Sequence, residues 1–236
     1  MQVTGSSHTT MIDTENRISI QVGLSGYSFK LQADDELTSS GWMGAENIFS
    51  SKELQRRYDD VEISVFTPKC ALVPAQFHTS EASKQMLADV VDIAEEDCVS
   101  AVPVPQFAAV LLYSDSLPGT LPKIISETVI KTDGSKSKPL PEVYYMLQDL
   151  INIKDYNKIM ASYMDGCLYL VIAQGKSLLL CNTFKASDFT TAEYYIFLAM
   201  KKLQLNPEMS TIYFRTPLGE DSIMSLYRYF RDVEFV

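Results

Sequence analysis

Apolar and polar residues alternate with a period of two from Arg17 onward. Ile18, Ile20, Val22 and Leu24 are separated by Ser19, Gln21 and Gly23, the pattern of a half-buried strand. Ser25-Gly26 marks a turn, and Tyr27, Phe29 and Leu31 alternate in the return strand. The arrangement recurs from Asn157. A strand to Met164 meets Asp165-Gly166 and returns from Cys167. Gly26 and Gly166 lie 140 residues apart, each after a small polar residue, Ser25 or Asp165. In the second copy, Gly175-Lys176 leads into a third strand over residues 176–184, the meander such turns produce.

Between the copies the pattern changes. Residues 33–51 are polar, with Gly41 and Gly44, and read as a loop. Residues 51–58 read as a short helix, residues 61–66 and 71–77 as strands. A helix capped by Thr79 or Ser80 is expected to run to Val91. The apolar run 107–113 reads as a buried strand, residues 117–126 as a helix and 128–131 as a short strand. Val143, Met146, Leu147, Leu150 and Ile151 recur at three- and four-residue spacing, which predicts a helix over 141–153. After the second meander come a helix from Thr190 or Thr191 to Leu203, a strand over 211–214, a helix over 221–230 and a last strand over 233–236.

Three early strands followed by alternating helices and strands describe a ribonuclease-H-like unit. Two in tandem give the expected fold class: α/β, duplicated ribonuclease-H-like units, the architecture of the actin-like ATPases. Residues 1–16, rich in Ser and Thr, are expected to form a disordered tail. Residues 17–155 are expected to form a first actin-like subdomain and residues 156–236 a second.

Composition narrows the class. The chain has 236 residues, 46% hydrophobic and 11% aromatic, enough for a packed core. Its formal charge of −10 speaks against a nucleic-acid surface, which needs a basic face. No apolar run has the length of a membrane helix, and residues 1–16 lack the apolar segment of a secretory signal. The four cysteines fall in no metal-binding spacing and read as reduced thiols of a cytoplasmic protein.

Some residues carry a resemblance. Ile18-Ser-Ile with Gly26-Tyr-Ser-Phe29, Val73-Pro74-Ala-Gln-Phe77, Leu178-Leu-Leu-Cys-Asn-Thr-Phe184, Tyr194-Tyr195 and Leu226-Tyr-Arg-Tyr-Phe230 resemble an uncharacterised bacterial family, a domain of unknown function. That family is similar to the actin-like ATPases in fold, and the resemblance assigns no catalytic residue. An active member of that fold would hold magnesium and phosphate with an acid and small turn residues at each hairpin. Here Gln21 stands where the first acid belongs, and Leu24 where a hydroxyl belongs. The 140-residue offset puts Ala161 at the second acid's place. The strand at 211–214 is followed by a single late glycine, Gly219, where a nucleotide-binding version has a glycine pair.

No phosphate loop is present. His78, near Thr79 and Ser80, reads as a helix start rather than part of a triad. The acid groups Asp34-Asp35, Asp59-Asp60 and Glu95-Glu96-Asp97 read as solvated loops. The expectation is a binding or assembly protein without ATP chemistry, a pseudoenzyme with no metal and no cofactor. The alternative is a diverged ATPase or kinase-like enzyme binding nucleotide between the halves. The cleft candidates are Ser25, Gly26, Asp165 and Gly166. The expected partner is another protein, with a homodimer as one form it could take, and neither nucleic acid nor membrane insertion is expected. The tyrosine pairs Tyr144-Tyr145 and Tyr194-Tyr195, with Tyr227 and Tyr229, read as core edges or as contact surface.

Overall fold

A computed structural model describes residues 16–33, 36–116 and 119–236. The expected tail therefore lies outside the described residues except for Asn16, as do Asp34, Asp35 and the start of the helix read from residue 117.

The first copy of the repeat opens with β1 (Arg17–Val22), β2 (Gly26–Ala33) and β3 (Glu36–Ser39), an antiparallel meander. A short β4 (Met43–Gly44) also pairs with β2. The polar stretch read as a loop thus supplies two strands. All four residues of β3 are exposed, so no apolar alternation marks it. Residues 51–58 form a single 3-10 turn at Glu53–Gln55 rather than a helix, followed by β5 (Arg57–Tyr58). Then β6 (Asp60–Val65) joins β1 in parallel.

Next comes a separate three-stranded sheet, with β7 (Cys70–Pro74), β8 (Val99–Val104) and β9 (Ala109–Ser114) in the order β7-β9-β8. Between β7 and β8 lies α1 (Ser83–Ala88), six residues where a longer helix was expected. β8 has no sequence signal beyond scattered valines. Its proline and exposed positions hide it. The chain continues through α2 (Leu121–Thr128), β10 (Ile130–Lys131) paired with β5, and β11 (Leu140–Pro141), which joins β6 in parallel. α3 (Glu142–Asn152) leads into the second copy.

That copy contains β12 (Asn157–Met164), β13 (Cys167–Gln174), β14 (Ser177–Lys185), α4 (Phe189–Lys202), β15 (Thr211–Phe214), α5 (Glu220–Tyr227) and β16 (Asp232–Phe235). Asp188, not Thr190 or Thr191, caps α4, because its side chain accepts from the Thr191 amide at 2.7 Å.

The two main sheets share one plan. Their orders are β3-β2-β1-β6-β11 and β14-β13-β12-β15-β16. In each, three antiparallel strands are followed by two parallel ones. This is a mixed α/β fold with a duplicated sheet.

Burial explains the strand compositions. Ile18, Ile20, Val22, Val61, Ile63 and Val65 pack with Leu121 and Ile125 of α2. The opposite face of the first sheet carries the polar residues Gln21 and Ser64. The second sheet is covered on both faces. Leu168, Leu170 and Ile172 face α4 and α5, while Tyr169, Val171 and Ala173 face α3 and β9. β13 therefore reads as a continuous apolar run, as a strand buried on both sides must.

Candidate functional site

The polar face of the first sheet meets the second sheet at Glu142, the first residue of α3. The carboxylate is fully buried. It accepts hydrogen bonds from Gln21 Nε2 at 3.0 Å, Ser162 Oγ at 2.7 Å and Ser64 Oγ. Arg215, just past β15, places Nη1 3.3 Å from Glu142 Oε2 and Nε 2.9 Å from Asp149 Oδ2. Nη1 has no well-directed hydrogen bond, so its link to Glu142 is a charge contact. The guanidinium also lies over the Tyr145 ring, 5.7 Å from its centroid. Residues of β1, β6, α3 and β12 and the end of β15 thus converge on one carboxylate.

A buried ion pair must recover the cost of leaving water through geometry and added hydrogen bonds. Glu142 has three such donors and a cation. Asp149 is less favoured. Burial pushes its carboxyl above the usual range, against the opposing pull of Arg215.

The hairpin tips meet nearby. Asp165 and Gly166 have φ of 52° and 70°, the conformation of a tight two-residue turn between Met164 and Cys167. Asp165 Oδ2 accepts from the Leu24 amide at 2.8 Å. A Cβ on Gly23 would lie 2.7 Å from that oxygen and 3.0 Å from Trp42. A Cβ on Gly26 would run into the Met43 carbonyl, because Gly26 pairs with Gly44 across β2 and β4. Behind the tips, Trp42 packs on Phe66 and Phe66 on Tyr169, with centroids 6.4 and 5.7 Å apart.

The four sequence candidates therefore sit as follows. Asp165 holds the first hairpin, and Gly166 supplies the second turn. Gly26 lets β4 approach, and the Ser25 carbonyl accepts from Ala45 N at 3.4 Å. The offset argument for Ala161 shifts register. Val22 O accepts from Phe66 N, and Ala161 O accepts from Arg215 N. Ala161 is thus the counterpart of Val22 and faces α4. The counterpart of Gln21 is Met160, which faces α3. Paired strand ends flank residues 23–26 in the first turn and only Asp165-Gly166 in the second, so an offset measured at the glycines slips along the incoming strands.

Magnesium and a triphosphate, which the fold implies, do not fit these residues. Gln21 and Met160 offer no carboxylate. Glu142 is engaged by four neighbours, and an Asp165 oxygen is engaged by Leu24. Among the described residues, no three His, Cys, Asp or Glu side chains gather closely enough to hold a metal ion. Sequence reading missed Glu142, Arg215 and Trp42. The signal available was an acid at the first position of a strongly periodic helix, a place that reads as a favourable interaction with the helix dipole.

Three other acids read from the sequence have local partners. Asp59 accepts from Asn16 N and Thr132 Oγ1, Asp60 pairs with Lys131 and Arg17, and Asp97 with Lys69 at 2.7 Å. His78 Nε2 lies 2.9 Å from Ser83 Oγ, whose hydroxyl donates to the Thr79 carbonyl at the start of α1.

Comparison with known proteins bears on the fold. A family described as "Protein of unknown function (DUF3822)" matches residues 8–233. A Bacteroides thetaiotaomicron protein, described as having an actin-like ATPase fold and unknown function, superposes with a TM-score of 0.65 at 17% identity. The match covers 96% of this chain and 94% of that one. A PilM–PilN type IV pilus biogenesis complex gives 0.49 at 13% identity, covering 95% and 89%. The first likeness shows the actin-like ATPase fold. No curated protein matches the sequence. Among the described residues, no helix is long and apolar enough to cross a membrane.

Proposed function

The chain belongs to the DUF3822 family of proteins of unknown function, and from that premise we propose that it is a non-catalytic binding or assembly module built on the actin-like frame. What carries this reading is the buried Glu142 cluster. In an ATPase of this fold the groups between the hairpins must stay available for metal and phosphate. Here Gln21, Ser64 and Ser162 all donate to Glu142, and Arg215 lies 3.3 Å from it as its countercharge. The cluster then works as a fastener between the halves, divided near residue 155, and function moves to the outer surface. A partner protein is the ligand class that fits an acidic molecule with exposed Tyr194, Tyr227 and Tyr229. A cytoplasmic setting accords with the reduced-thiol reading of the cysteines.

Thermal denaturation with magnesium and a panel of nucleoside triphosphates tests the proposal. The expected result is an unchanged midpoint and no phosphate release. A rise of several degrees would overturn it. The buried carboxylate favours one second reading, a diverged enzyme using Glu142. That reading requires Glu142→Gln to abolish any nucleotide-induced rise.

A further inference from the structure

β14 lies at the edge of the second sheet and pairs only with β13 among the described residues. Its nine residues are all exposed or half-buried. An open edge presents unpaired amides and carbonyls, a template for another strand. Pockets open on both of its faces. On the α4 side Leu180, Phe184, Tyr195 and Leu203 line a largely apolar pocket of about 270 Å³. On the opposite side Cys181 and Thr183 face Leu72 and Val91 across a pocket of about 210 Å³. A neighbouring pocket of about 550 Å³ shares Thr183, Val90 and Val91.

We infer that the β14 edge takes up an extended, apolar, acid-flanked segment of a partner protein as an added strand. This deepens, and rests on, the binding-module reading. Successive side chains of a strand point to opposite faces, so an added strand would set alternate residues into the two sets of pockets. Backbone pairing supplies affinity in this mode and the pockets supply selectivity.

Charge selects the occupant. Lys176 and Lys185 bracket the strand, and Lys201 and Lys202 close α4. None of the four is in an ion pair among the described residues, in a chain of net charge −10. Asp89 and Asp92 line the pocket of about 550 Å³, where Lys69 and Lys185 accompany them. A second copy of this chain is disfavoured. Antiparallel self-pairing centred on Cys181 would set Lys176 opposite the copy's Ala186, next to its Lys185, and the like-charged strand ends so brought together repel. Acidic flanks on a different chain meet the same lysines favourably.

The test uses the full chain and a phage-displayed library of random dodecapeptides. The expected winners alternate apolar residues, carry Asp or Glu at an end, and slow amide exchange across Ser177–Lys185. K185E/K202E, checked for its fold by circular dichroism, should weaken them by about tenfold or more. Lysine-flanked versions of the same peptides should regain binding to that variant. Absence of any enriched peptide, protection elsewhere, or indifference to the charge reversal would each overturn the inference. So would a concentration-dependent dimer with a protected β14, which would assign the edge to a second copy. The nucleotide experiment is independent. If peptides fail while nucleotides also have no effect, the edge inference falls and the module reading stands.

Discussion

Asp165 Oδ2 accepts a hydrogen bond from the Leu24 amide at 2.8 Å, across 141 residues of sequence. The tip of one repeat therefore closes on the tip of the other. An acid read as a cleft candidate serves here as a latch, in a backbone conformation (φ 52°) that asparagine tolerates and alanine resists.

Asp165→Asn should be close to neutral, because its amide oxygen still accepts from Leu24. Asp165→Ala should destabilise by about 1–3 kcal/mol, combining left-handed strain with the lost acceptor. Urea denaturation of the two variants separates these outcomes. Equal losses would mean that charge, not conformation and geometry, holds the latch.

Glu142→Ala leaves the buried Arg215 with Asp149 as its remaining carboxylate partner and strips Gln21, Ser64 and Ser162 of an acceptor. A loss of about 3–5 kcal/mol is expected, and Arg215→Ala should cost a similar amount. The double variant should cost less than the sum, since each partner's loss already strands the other. Chemical denaturation of the three proteins measures the coupling.

Much of this frame is visible in the sequence. The Ile18–Val22 alternation, the Asp165-Gly166 turn and the apolar run of β13 each encode their element locally. β3 is hidden because none of its residues is buried, and β8 because Pro103 interrupts it and most of its positions are exposed or half-buried. The Glu142 cluster is hidden for a different reason. Its members come from five distant segments, each with an ordinary local explanation, and only the pairing of two sheets brings them together. The slip from Met160 to Ala161 shows the same limit, because register depends on turn length as well as on pattern.

Gly26→Ala should be strongly destabilising, by about 2–4 kcal/mol, because its Cβ meets the Met43 carbonyl, which is backbone and cannot rotate away. Gly41→Ala, at φ +68° with open space around it, should cost only about 1 kcal/mol. Thermal midpoints of the pair give the comparison.

Lys69, hydrogen-bonded to Asp97, holds that carboxyl well below the usual carboxylate range. The folded value is depressed, so the associated stability is fully present above the unfolded value near 3.9 and is lost as pH falls through and below it. Asp97→Asn should flatten the pH dependence of stability below about pH 4. Denaturation series at several acid pH values would show the change in slope.

Burial raises the Cys70 thiol well above its ordinary value and pushes Cys181 up to about 12, whereas Cys98 is exposed. Iodoacetamide at neutral pH should therefore modify Cys98 first and leave Cys70 and Cys181 largely unmodified, as peptide mass analysis would report.

Titration calorimetry of magnesium–ATP into the full chain tests the central claim most directly, that the polar groups where the two halves meet are engaged by Glu142 and the hairpin tips by Asp165. The account predicts only heats of dilution up to millimolar ligand. A saturable one-to-one isotherm that Glu142→Gln abolishes would contradict it and make the cluster a nucleotide site.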